Sequence, residues 1–174
     1  QQASPDASSE AAVVAGVLTW LQSSLARPLD PTDRWSVQLL DFADSFLKAL
    51  EADESYVRAH PESAYPIGFE RFGPGGAHTR GTYLLSLPPD FLERQGAVPL
   101  LLHLHGSSTS VKKIGFGDPN VPYFDGAPFV RVSPMAPYPL RGAAWDIDFL
   151  NAVLADVCER LPVDRDRVYL QGGS

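Results

Sequence analysis

Leu161–Ser174, LPVDRDRVYLQGGS, is the stretch on which the reading of this chain turns. Pro162 closes whatever precedes it. Arg167–Gln171 (RVYLQ) then reads as a strand, and Gly172-Gly173-Ser174 follows it directly. A serine held between small residues on a tight turn out of a strand keeps its hydroxyl exposed. This is the first half of the Gly-x-Ser-x-Gly pattern of serine nucleophiles. Gly-Gly-Ser alone is also ordinary linker, so the strand in front of it gives the serine its weight.

Working back along the chain, Ile147, Leu150, Val153, Leu154, Val157 and Leu161 recur at helical spacing, with Asp146 and Asp148 in the first turn to complement the helix dipole. Ala127–Ser133 reads as a strand broken by Pro134. Val98–Leu104 is nearly all apolar, as expected of a parallel strand buried on both faces. His105-Gly106-Ser107-Ser108 follows it, where a glycine lets backbone N–H groups approach a ligand. Strand, loop, strand, helix, strand argues for an α/β sheet. Between Pro61 and Ala97, Ile67–Phe72 and Thr82–Leu87 read as a hairpin around Gly73-Pro74-Gly75-Gly76. That cluster lacks the Gly-Lys-Ser/Thr ending of a phosphate loop.

From about Ser8 to His60 the pattern is helical. Val13, Val14, Val17, Leu18, Leu21 and Leu25 form one stripe, with Ser8 or Ser9 as its cap and Pro28 as its end. Trp35, Leu39, Phe42, Phe46, Leu47 and Leu50 form a second, with Asp30 as cap and Pro31 in the first turn. The expected organisation is a flexible start over residues 1–8, a helical extension over 9–60, and an α/β region over 61–174.

The stretches PLLLHLHGSS, FVRVSPMAP and LPVDRDRVYLQGGS resemble the α/β-hydrolase superfamily over about Phe69–Ser174. The nearest likeness is to secreted serine esterases around the feruloyl esterase, polyhydroxybutyrate depolymerase and predicted-peptidase group. The resemblance implies the α/β-hydrolase fold, a mostly parallel central sheet flanked by helices. It implies Ser174 as nucleophile and the Ser107 N–H as oxyanion donor, with Gly106 giving the bend. His105, Ser108 and Trp145 then belong to the pocket rim. It also implies hydrolysis of carboxylic esters through an acyl-enzyme, with neither metal nor organic cofactor. The triad order of this fold is serine, acid, histidine, which puts both partners of Ser174 beyond residue 174. The expected partners are therefore an ester substrate and a complementary C-terminal segment, in the same chain or in a second chain from one precursor. Without that segment the apolar faces of Val98–Leu104 and Arg167–Gln171 are expected to lie open.

Composition narrows the alternatives. The 174 residues are 44% apolar and 20% charged, within the globular range. Fourteen basic against 21 acidic residues give a net charge of −7, which argues against nucleic acid as a partner. No apolar run reaches the roughly 18 residues of a membrane span. The single cysteine, Cys158, excludes an intrachain disulfide and a zinc ribbon. The polar start at Gln1, without methionine, fits a precursor trimmed by a signal peptidase, which makes a secreted or periplasmic location the expectation, with simple methionine loss as an alternative. His103 and His105 share a strand face and could hold zinc, but no further ligands lie near in sequence. Trp145 is either a core anchor or a substrate-facing wall. Two rival functions remain: a peptidase or amidase with the same triad, and a binding module of this fold without catalysis.

Overall fold

The computed structural model describes residues 5–52, 54–59, 64–73, 78–104, 128–135 and 145–172. Its elements follow the chain as α1 (Pro5–Leu25), α2 (Arg34–Glu51), α3 (Tyr56–Ala59), β1 (Ala64–Phe72), β2 (His78–Ser86), β3 (Val98–Leu104), β4 (Val130–Met135), α4 (Ile147–Arg160) and β5 (Val163–Gly172). A short 3-10 turn, Phe91–Glu93, links β2 to β3.

The strands form one sheet in the order β1-β2-β4-β3-β5. β2 is antiparallel to both β1 and β4, whereas β3 is parallel to both β4 and β5. Hence β1, β3, β4 and β5 run one way and β2 alone runs against them. The sheet is mixed, with helices packed against it, as the sequence reading expects of an α/β region, and its last described strand, β5, ends two residues before Ser174.

One cross-strand row shows where the core lies. Tyr65, Leu85, Val132, Leu102 and Leu170 are successive ladder partners across all five strands. The first four are buried, but Leu170, on the edge strand, is 68% exposed. Side chains two residues apart share a face, so Leu100 and Val130 join this row. α4 covers the β1 and β2 part of that face. Phe149 packs on Phe69 at 5.9 Å, and Phe69 on Tyr83 at 5.9 Å. Val153 and Val157 are fully buried in the same cluster. Expected openness on the two apolar strands is therefore correct for β5 only. Leu100, Leu101 and Leu102 of β3 are enclosed because β3 lies between β4 and β5, while Val168, Tyr169 and Leu170 of β5 are exposed.

The helical pair packs into the same core. Aromatic rings step from Trp20 to Phe42, from Phe42 and Phe46 to Tyr56, and from Tyr56 to Tyr65 of β1, mostly edge to face. α1 lies against β1 so closely that a Cβ on Gly68 would come within 2.7 Å of the Trp20 backbone nitrogen. No side chain fits there without lifting the helix. Ser55 donates to Glu10, tying the chain before α3 back to α1.

Several boundaries depart from the sequence reading. α1 begins at Pro5, ahead of Ser8 and Ser9, because proline suits a first turn and does not stop the helix forming behind it. Asp33, not Asp30, caps α2, accepting from Ser36 N at 3.3 Å. Asp30 instead accepts from the N–H and hydroxyl of Thr32, and Pro31 belongs to that turn. β1 and β2 are both longer than expected, and His78 opens β2. β4 runs through Pro134, which pairs with Tyr83 beyond the last β3–β4 pair, Leu102 with Val132. β4 has one ladder partner there, so a missing N–H is tolerated. β5 starts at Val163, before Arg167. Pro99 and Leu100 face Asp164 and Val168, so residues 165–167 bulge out. Asp164 organises that bulge: it accepts from Asp166 N at 3.0 Å and Arg167 Nε at 2.6 Å. The hydrogen bond from Arg167 is the main cause holding its carboxyl below the usual range. Leu25, Leu47 and Ile147 belong to the helical stripes by spacing but are exposed.

A buried polar fastening joins α4 to β2 and α1. Tyr83 donates to Asp156 Oδ2 at 2.8 Å, Arg160 Nε donates to the same oxygen at 2.7 Å, and Arg160 Nη1 reaches the Ala12 carbonyl at 3.2 Å. Burial, then the Asp156 charge, pushes the Tyr83 phenol well above its ordinary range, so it stays a donor. Removing one partner of such a pair strands the other. Asp156→Ala is expected to lower unfolding free energy by about 3 kcal/mol, and Tyr83→Phe by about 1.5–3 kcal/mol. Urea denaturation checks both. A loss no larger than that of a surface substitution at Asp156 would remove the fastening role.

Candidate active site

β3, β4 and β5 point the same way and end at one edge of the sheet, at Leu104, Met135 and Gly172. Leu104 and Gly172 are ladder partners, so the segments that follow them leave neighbouring strands side by side. Adjacent strands lie about 4.8 Å apart. Open α/β sheets bind ligands at the carboxyl ends of their strands, so this edge is the candidate site.

The expected site residues His105, Gly106, Ser107, Ser108 and Ser174 lie outside the described residues. The strand ends that carry them are described. Gly172 needs no special backbone there, since a Cβ would meet Leu104 Cβ at 3.6 Å, an ordinary contact.

Trp145 is half-buried and packs against the main hydrophobic cluster, as a core anchor does. It stands just ahead of α4, whose cap is Asp146. The Asp146 carboxylate accepts from Asp148 N at 2.9 Å and Phe149 N at 3.3 Å. Asp146 therefore serves the helix start. Cys158 is a free thiol beside the core.

His103 lies one residue short of the β3 end. Its Nδ1 is 3.5 Å from the Ser133 hydroxyl on β4, at the outer limit of a hydrogen bond. Arg131 lies two residues before Ser133 on that side of β4, and partial burial draws its guanidinium down from the usual range. It stays charged nonetheless. His78 is exposed at the start of β2, where it pairs with Glu70 at 2.6 Å and stacks on Phe72 with centroids 4.5 Å apart. Hydropathy alone could not find this pairing, which depends on the β1–β2 register. Among the described residues no group of three His, Cys, Asp or Glu could hold a metal, and no helix is long and apolar enough to cross a membrane. The cleft lined by Val57, Leu87, Pro88, Phe91 and Leu92 follows the end of β2, at the opposite edge of the sheet.

No protein-family model and no curated protein matches the chain. Among solved structures it is similar to a thermostable esterase, at 19% identity and TM-score 0.40, over 63% of this chain and 34% of that one. It is similar also to the apoenzyme of S-formylglutathione hydrolase from Staphylococcus aureus, at 19% identity and TM-score 0.43, over 64% of this chain and 49% of that one. The chain thus spans between about a third and a half of these proteins.

The Asp146 cap sets where Trp145 enters the core. Asp146→Ala is expected to cost about 1 kcal/mol, or about 2–4 °C in Tm for a domain of this size. Asp146→Asn should retain most of it. A thermal melt in which alanine matches wild type would show that α4 does not need the cap.

Proposed function

We propose that this chain carries the nucleophile of a serine hydrolase that cleaves carboxylic esters. The observation that supports this reading is the register of β3 against β5. It sets the chain leading to His105-Gly106-Ser107 beside the chain leading to Ser174. Acyl transfer needs that pairing: a hydroxyl to attack and backbone N–H donors where negative charge develops.

In the proposed reaction the Ser174 oxygen attacks the ester carbonyl. Its proton passes to a histidine, and the Ser107 N–H holds the oxyanion with Gly106 allowing the approach. Collapse breaks the bond to the alcohol, which leaves with the proton from the histidine. Water then attacks the acyl-enzyme in the reverse sequence and frees the acid and Ser174. The described histidines do not suit the base role, since His78 is engaged by Glu70 and His103 by Ser133. The acid and the histidine are assigned to a companion segment following Ser174 in the sheet. The exposed Val168, Tyr169 and Leu170 of β5 offer that segment an apolar face. No step requires a metal or cofactor, and the enzyme acts outside the cytoplasm.

Ser174→Ala should reduce turnover of a p-nitrophenyl ester by roughly 10⁴-fold or more, with an unchanged melt. Near-normal turnover in the variant would end the assignment. A p-nitroanilide of the same acyl group should be cleaved far more slowly; faster amide cleavage would make the protein an amidase or peptidase. Residues 1–174 expressed alone should be insoluble or lack a cooperative melt, since soluble monomers rarely expose large apolar patches. A folded soluble monomer would remove the structural need for the companion segment.

A further inference from the structure

The seam between α3 and the link from β2 to β3 holds a cleft of about 150 Å³. Its walls are Val57 of α3, Leu87 and Pro88 after β2, and Phe91 and Leu92 of the 3-10 turn, all of them buried. Val57, Leu87, Phe91 and Leu92 belong to the main hydrophobic cluster, so the floor of the cleft is the core itself. Close-packed interiors leave few voids larger than a water molecule. An apolar cavity of this volume holds a molecule the size of benzene. Pro88 and Pro89 stiffen one wall, since each proline fixes its own φ. The Phe91 N–H donates to the Pro88 carbonyl at 2.9 Å and holds the turn against that wall. The cleft is therefore shaped before anything enters it.

Two charges border this apolar space. Arg58 of α3 and Glu93 of the 3-10 turn line the same cleft, and both are exposed. Among the described residues neither side chain forms a hydrogen bond or an ion pair, with the other or with a neighbour. The nearby Asp90 and Arg94 are paired with each other at 2.8 Å, which leaves Arg58 and Glu93 open to a ligand. A guanidinium takes a carboxylate through paired N–H bonds, and a carboxylate takes an ammonium group. A cation and an anion at the mouth of a benzene-sized apolar cavity match one kind of small molecule, a zwitterion with an apolar tail. We propose that this cleft binds a free α-amino acid with a branched aliphatic or aromatic side chain. Its carboxylate lies on Arg58, its ammonium group on Glu93, and its side chain between Val57, Leu87, Phe91 and Leu92. Bound in this way, the ligand joins α3 to the turn before β3 and stabilises the fold by mass action. The site uses no residue of the proposed hydrolytic centre, so it holds whether or not the chain hydrolyses esters.

The test is isothermal titration of the full-length protein with free leucine and phenylalanine, then with glycine, N-acetyl-leucine, leucinamide and isoamyl alcohol. Leucine and phenylalanine should each bind at one saturable site. Glycine lacks the apolar side chain, N-acetyl-leucine the ammonium charge and leucinamide the carboxylate, so each should bind at least about tenfold more weakly. Arg58→Ala should weaken leucine binding about tenfold and abolish the preference for leucine over leucinamide. Glu93→Ala should weaken it about as much and abolish the preference over N-acetyl-leucine. Both positions are exposed, so both variants should fold as the wild type does. Leucine at about ten times its Kd should raise the wild-type Tm by roughly 3–6 °C, and the same concentration should raise it less in each variant. Absence of saturable leucine binding, or wild-type affinity in either variant, would overturn the proposal. Isoamyl alcohol bound as tightly as leucine would reduce the cleft to an apolar void and overturn it too. Ser174→Ala should bind leucine unchanged; loss of binding in that variant would place the amino acid at the serine and overturn the cleft as its site.

Discussion

The parallel pairing of β3 with both β4 and β5 is the constraint from which the rest of the arrangement follows. Leu100 and Leu102 are almost wholly enclosed because their strand has neighbours on both sides. Burying such side chains stabilises the fold by about 1.5–3 kcal/mol each. A slip of one residue would turn the apolar row to the other face and bring His103 into the core. The register that satisfies burial is therefore also the register that sets Leu104 beside Gly172. Core packing and site geometry rest on the same set of ladder bonds.

The helices hold that sheet from one face and one edge. α1 sits on β1 at a distance only glycine allows at Gly68, and α4 closes over β1 and β2 through Phe149, Val153 and Val157. Asp156 ties α4 to both, through Tyr83 on β2 and through Arg160 to Ala12 of α1. Among the described residues β5 has no such cover on its outer side, and its Val168, Tyr169 and Leu170 are exposed. Cover among the described residues thus decreases toward the strand that leads to Ser174.

β3 was legible from sequence to the residue, because seven residues rich in leucine and valine have few alternatives to a buried strand. α4 was legible too, since its apolar spacing and its Asp146 cap agree. Positions set by a local hydrogen-bond choice were not. Asp30 and Asp33 are equally good caps on paper, and the turn that Asp30 makes with Thr32 decides between them. Pro134 looks like a strand breaker until β4 is seen to lack its second ladder there. The charged residues 164–167 hide the start of β5 because they form a bulge around Asp164. Of the candidate site, the strand ends and the serine motif could be read directly. The contact of His103 with Ser133 could not, because it exists only once β3 and β4 are placed in register.

The central claim is that β5 delivers a reactive serine to the edge where β3 ends. Covalent labelling of the full-length protein with a fluorophosphonate, followed by peptide mapping, tests it most directly. The account predicts one adduct, on Ser174, in the peptide that follows Arg167, and none after heat denaturation. Labelling of a different serine, or none on native protein that hydrolyses esters, would contradict it.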